Sequence, residues 1–107
     1  MTVYELRTYD LQVGTLGQVL QLYKDLGWPA LESGGFDDNL VGYFTSDVGE
    51  LNQLVHLWKF DDDETRRAFW KRLFRDEAFM TFAHKLRPFI HRQRNQLLLN
   101  APWGPCP

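Results

Sequence analysis

Cysteine occurs once in 107 residues, at Cys106, so neither a disulfide framework nor a multi-cysteine metal site can be built from this chain. No apolar run approaches the roughly 18 residues that a membrane helix needs, and no signal-peptide pattern opens the sequence. An excess of one charge is missing too. Twelve Lys and Arg against 14 Asp and Glu give a formal net charge of -2, which excludes a strongly basic nucleic-acid binder. Histidines number three, and the two nearest each other, His84 and His91, straddle Pro88, so no metal site is indicated. There is no glycine-rich phosphate loop and no serine on a strand-turn-helix elbow. The expectation is a soluble cytoplasmic protein with no cofactor, no nucleic-acid partner and no membrane partner.

Aromatic residues, in contrast, are abundant: 15% of the chain, with four Trp and eight Phe. Either the core is unusually aromatic, or a ligand or second subunit covers some of those rings. The length suits one domain spanning 1–107, whose last residues, 100–107, read as an irregular tail.

The segment TVYELRTYD alternates with the two-residue period of a strand, Val3, Glu5, Arg7 and Tyr9 on one side and Tyr4, Leu6 and Thr8 on the other. Thr15 and Gln18 have capping-box spacing, and Leu16, Val19, Leu20, Tyr23 and Leu26 continue as a helical stripe. Gly27 and Pro29 predict a kink or break in it. Leu40 to Ser46 and Leu51 to Phe60 read as two strands of an antiparallel hairpin. DDDETRRAFWKRLF predicts a helix capped by Asp61 with Glu64, with Asp62–Arg66 and Asp63–Arg67 as i,i+4 pairs on a solvated face. Asp76 to Leu86 predicts a further helix, stopped by Pro88, and Phe89 to Leu99 a final strand. The order strand, helix, strand, strand, helix, strand is the split βαβ pattern of an α+β, ferredoxin-like sandwich with a four-stranded antiparallel sheet.

In that fold one sheet face lacks helices and should be polar in a monomer. Leu54, Trp58 and Phe60 point one way, but Val55 and Leu57 point the other, and LVGYFTS is apolar on both sides. Leaving such a face bare would cost several kcal/mol at roughly 25 cal/mol per Å². The expectation is a homodimer packed sheet to sheet. The competing reading folds the tail or the long first loop over that face.

Two sets of residues could carry chemistry. Asn52, His56 and Trp58 are separated by even numbers and would share a strand face, where an amide, an imidazole and an indole N–H could hold a small apolar or aromatic ligand, with His56 as acid or base. The plainer reading makes His56 a satisfied core histidine and Trp58 part of the core. Arg7, beside Glu5 and Tyr9, needs a carboxylate or a ligand anion if its face is buried, and a pair with Glu5 is the default. The final strand, with Arg92, Arg94 and Gln96 on one face and His91, Gln93 and Asn95 on the other, reads as a sheet edge or the wall of a wet pocket.

YELRTYDLQVGTL, VGYFTSDVGELNQLVHLW and DEAFMTFAHKLRPFI together resemble the NIPSNAP family, from Tyr4 to about Pro105. The most specific stretch is the glycine-bearing turn into LNQLVHLW, with Gly49, Leu51, Asn52, His56 and Trp58 where the family motif has them. The closing APWGP departs from the usual phenylalanine-serine-proline ending. The resemblance implies a ferredoxin-like domain dimerised into an α+β barrel and supplies no reaction.

Three functions remain in view. The first is a dimeric small-ligand-binding or regulatory domain. The second is a cofactor-free monooxygenase or isomerase for an aromatic or polyketide-like substrate, suggested by analogy with antibiotic-biosynthesis monooxygenases of similar fold. There His56 would move a proton, Asn52 would steady an oxyanion, and Trp58 with Tyr43 would sandwich the ring, so the candidate site comprises Asn52, His56, Trp58, Tyr43, Arg7 and Tyr9. The third is a partner-binding module whose Asn52 face is packed solid.

Overall fold

The computed structural model describes residues 1–107. The alternation at the amino terminus yields strand β1 (Val3–Leu11), with Val3, Glu5, Arg7, Tyr9 and Leu11 all buried. Helix α1 (Leu16–Leu22) leads into a π-helical turn (Tyr23–Gly27) and then helix α2 (Trp28–Ser33). The helical path therefore continues through Gly27 and Pro29. Pro29 falls in the first turn of α2, where proline is tolerated. Gly27 supplies space, since a Cβ there would lie 2.7 Å from the ring of Phe82. The capping box at Thr15 does not form. The Thr15 hydroxyl donates instead to the Gln12 carbonyl at 2.6 Å and closes the preceding turn.

Strands β2 (Leu40–Thr45) and β3 (Gln53–Phe60) form the antiparallel hairpin. Strand β3 starts at Gln53 and not at Leu51, because Asn52 takes φ 60 and leaves the extended region. Helix α3 (Asp63–Leu73) is capped by Asp62, which accepts from the Thr65 amide at 2.7 Å, and not by Asp61. Asp62 is thereby committed and makes no pair with Arg66. Asp63 takes both Arg66 and Arg67, at 2.9 and 2.8 Å. Asp76 caps helix α4 (Glu77–Leu86), and a 3-10 turn through Pro88 delivers strand β4 (Ile90–Leu98).

The sheet order is β2-β3-β1-β4 with every neighbour antiparallel, which is the ferredoxin-like arrangement. Strand β4 is an edge, as its polar sequence suggested. No helix is long and apolar enough to cross a membrane.

Beneath the helices the core is in two parts. One gathers Tyr9, Leu11, Val19, Leu54, Phe82 and Leu86; the other gathers Leu31, Phe36, Trp58, Phe60, Phe69 and Leu73. Tyr43 and Phe79 pack against both and so mark the seam. The shortest dimension, 19 Å, is about that of one sheet plus one helical layer. The far face carries half-buried Leu6, Val55 and Leu57 beside Phe44, which is 57% exposed. The tail reaches only one end of that face, where the Tyr4 hydroxyl donates to the Pro107 carbonyl at 2.7 Å.

Candidate functional site

The seam between the two core clusters is incompletely filled. A cavity of about 150 Å³ lies there, bounded by the sheet on one side and by α3, α4 and the π-helical turn on the other. Arg7, Tyr9, Tyr43, His56 and Trp58 of the candidate set all line it. Asn52 does not. The positive φ of Asn52 ends the alternation that would have put it beside His56, and its carbonyl accepts from the Leu11 amide at 2.8 Å. Asn52 is a turn residue, and the expected amide for an oxyanion is not part of the cavity wall.

His56 and Trp58 point to the same side of β3 as expected, and they bond to each other. The Trp58 indole donates to His56 Nδ1 at 2.6 Å. An indole nitrogen can only donate, so Nδ1 must supply its lone pair, and the proton of the neutral ring sits on Nε2. Burial, reinforced by the Arg7 charge, holds the His56 pKa well below the ordinary 6.5, so the ring is neutral at pH 7. His56 is 2% exposed, and its Nε2 has no hydrogen-bond partner. The ring is therefore not a satisfied core histidine. It is a poor base as well, because its one free lone pair is already engaged. Tyr43 stacks on His56 at 4.6 Å with planes 12° apart, and meets Trp58 edge-on at 6.2 Å. The imidazole occupies the space beside Tyr43, so the expected Trp58–Tyr43 sandwich around a substrate ring is not formed. The oxygenase or isomerase reading loses its base, its oxyanion amide and its ring clamp together.

Arg7 behaves as the sequence implied, with more partners than expected. Its Nη1 donates to Glu5 Oε2 at 2.6 Å, while Nε and Nη2 reach the Tyr9 hydroxyl at 3.4 and 3.3 Å. Asn95 of β4, oriented by its hydrogen-bonding network, accepts from Nη1 at 3.1 Å. The guanidinium lies 4.5 Å from the Trp70 ring centroid. Burial opposes the charge, but Tyr9 and Glu5 outweigh it and raise the Arg7 pKa, so the group stays ionised. Glu5 also accepts from Arg66 at 2.7 Å and from the Trp70 indole at 3.1 Å, both through Oε1. Arg66 is thus not a solvated helix-face residue; it ties α3 to the middle of the sheet.

Arg66, Trp70, Tyr23, Phe79 and Arg87 were not legible as site residues. A signal existed for the first two: Arg66 precedes Phe69, Trp70 and Leu73 by three, four and seven positions, which places it on the buried stripe of α3. Tyr23 and Tyr43 both have phenol pKa values raised, chiefly by burial, and stay protonated. No group of three or more His, Cys, Asp or Glu converges to hold a metal ion.

The NIPSNAP family pattern matches residues 4–105. Mouse NipSnap homolog 3B is 28% identical over 104 residues, covering 95% of this chain and 40% of that longer protein. A NIPSNAP family protein of unknown function from Agrobacterium tumefaciens superposes with a TM-score of 0.88 at 33% identity, covering 97% of this chain and 92% of its own. A dimeric ferredoxin-like protein from an uncultured marine organism gives a TM-score of 0.71 at 16% identity over 98% and 93% of the two chains, a likeness of fold alone. A family pattern spanning nearly every residue, carried on the matching fold, means that the chain belongs to the NIPSNAP family.

Proposed function

We propose that this NIPSNAP domain is a homodimeric small-ligand-binding domain with no chemistry of its own. One observation carries the reading: a neutral histidine, nine-tenths or more buried, keeps an unpartnered N–H while it lines a cavity. A buried donor without an acceptor costs about 1–3 kcal/mol, a cost that a bound acceptor would offset. Aromatic walls around a few polar groups are the usual composition of a small-molecule pocket.

The dimer is supported by the uncovered sheet face. Phe44, Val55, Leu57 and Leu6 make an apolar stripe on β2, β3 and β1, and the tail meets it at the end near Tyr4 and Leu57. On the β4 side the same face is polar, with Asp10 accepting from Gln53 at 2.8 Å and from Arg94 at 3.1 Å. A second copy laid sheet to sheet, about 10 Å away, would cover the stripe. The structural neighbour described as dimeric has a similar fold, which supports a dimer here.

Native mass spectrometry of the purified protein is the test. A dimer of the 12.6 kDa chain carrying extra small-molecule mass is the expected result. A monomer at micromolar concentration would remove the dimer, and a cavity that no small molecule fills at millimolar concentration would remove the ligand.

A further inference from the structure

We propose that the cavity takes a small ring-bearing carboxylate of about the size of benzoate, with the carboxylate turned toward Arg7, Tyr9 and His56. The inference rests on the ligand-binding reading above and adds the chemical class.

The first ground is a shortage of acceptors. His56 Nε2–H has no partner, and the Tyr9 hydroxyl, which receives the Arg7 guanidinium, has no acceptor for its own hydrogen. Arg7 brings five N–H donors, of which Glu5, Asn95 and the long contacts to Tyr9 engage only part. The one carboxylate nearby is taken: Glu5 Oε2 holds Arg7, and Oε1 holds both Arg66 and the Trp70 indole. A ligand entering this wall must therefore bring acceptors and has little use for donors.

Charge is the second ground. Glu5 faces two guanidiniums, Arg7 and Arg66, and the other partner of Arg66, Asp63, is shared with Arg67. Arg87 adds a further cation to the cavity lining. The local balance is positive, so an anionic acceptor is favoured over a neutral carbonyl, and a cation is disfavoured.

Size and shape are the third. A closed apolar cavity of about 150 Å³ accommodates a benzene-sized ring. The volume here is about 150 Å³, and Tyr43, Trp70 and Phe79 offer aromatic surfaces for one ring.

The experiment is calorimetry and thermal denaturation of the whole chain with benzoate, benzamide and benzylamine, which share a ring and differ in the polar group. Benzoate should bind and raise the melting temperature in a saturable way. Benzamide should bind about tenfold more weakly, the loss expected for one charge-assisted bond, and benzylamine should not bind. Tyr9→Phe removes one donor and no charge, and should weaken benzoate about tenfold. Because it also strips Arg7 Nε and Nη2 of their acceptor, it should lower the melting temperature of the free protein, and the affinity is read at a temperature where the variant is folded. Equal binding of benzoate and benzamide, or benzoate binding indifferent to Tyr9→Phe, overturns the carboxylate site but leaves a pocket for rings. If none of the three compounds binds at millimolar concentration, the ligand-binding reading fails and this inference falls with it.

Discussion

The indole of Trp58 donates to Nδ1 of His56 at 2.6 Å, and this single bond decides where the imidazole proton resides. Two residues on one strand thereby convert a potential base into a fixed donor that lines a cavity. Trp58→Phe removes the indole N–H and leaves Nδ1 buried without a partner. The expected cost is about 1–3 kcal/mol in urea denaturation. Nitrogen NMR of the histidine ring should move from one tautomer to a mixture of both; an unchanged spectrum would mean that Trp58 does not set the tautomer.

His56 also makes stability depend on pH. In the unfolded chain it titrates near 6.5, whereas burial holds it neutral in the native state far below that value. Below about pH 6.5 the unfolded state therefore binds more protons, and stability falls as pH falls until the native ring is finally protonated. The expected slope from this group is about 1.4 kcal/mol per pH unit. His56→Phe should flatten the profile between pH 6.5 and the acid transition, and an identical slope in that variant would assign the effect to other groups.

Glu5 sits at the centre of the largest electrostatic commitment in the fold. Glu5→Gln leaves Arg7 buried without its anion and weakens the link from Arg66 and Trp70 to the sheet. A loss of about 3–5 kcal/mol is expected from chemical denaturation. Arg67→Ala, which removes only an exposed pair with Asp63, should be nearly neutral in the same assay. Comparable losses in the two variants would refute the central role of Glu5.

Asn52 holds φ 60 in the turn before β3. Asn52→Gly should leave the melting temperature and any ring binding unchanged, since glycine adopts this conformation freely. Asn52→Val should cost about 1–2 kcal/mol, because a β-branched residue resists left-handed backbone. Loss of ligand binding in Asn52→Gly would return the amide to the site.

Phe44 stands at the exposed end of the apolar stripe on the open face. If two copies pair through that face, Phe44→Glu places two new charges in the interface. Sedimentation should then show dissociation at concentrations where the parent chain is dimeric, with an unchanged circular dichroism spectrum. A dimer that survives the substitution uses another surface.

How much was legible before the structure depended on how local the signal was. The strand alternation of β1 and β3, the acidic start and basic end of α3, and the edge character of β4 are all written in neighbouring residues, and each emerged correctly. Boundary chemistry was less legible. Thr15 and Asp61 both have capping residue types, but whether a hydroxyl or carboxylate caps depends on backbone angles that neighbours decide: the Thr15 hydroxyl donates to the Gln12 carbonyl instead, and Asp62 in place of Asp61 caps α3. The close approach of Gly27 to the ring of Phe82, more than fifty positions away, was hidden because no neighbouring residue signals it.

The sequence by itself determined the family, the ferredoxin-like order of elements, the shared face of Glu5, Arg7 and Tyr9 and, given burial of that face, the pairing of Arg7 with Glu5, because periodicity and the cost of an unpaired buried charge act through short spacings. Only the tertiary structure decided that His56 would be a donor and not a base, that Arg66 and Trp70 would cross from α3 to Glu5, and that a cavity would open between two aromatic clusters. Those features arise where elements distant in the chain meet. Packing there selects one rotamer and one hydrogen-bond partner among several that the local sequence allows equally well.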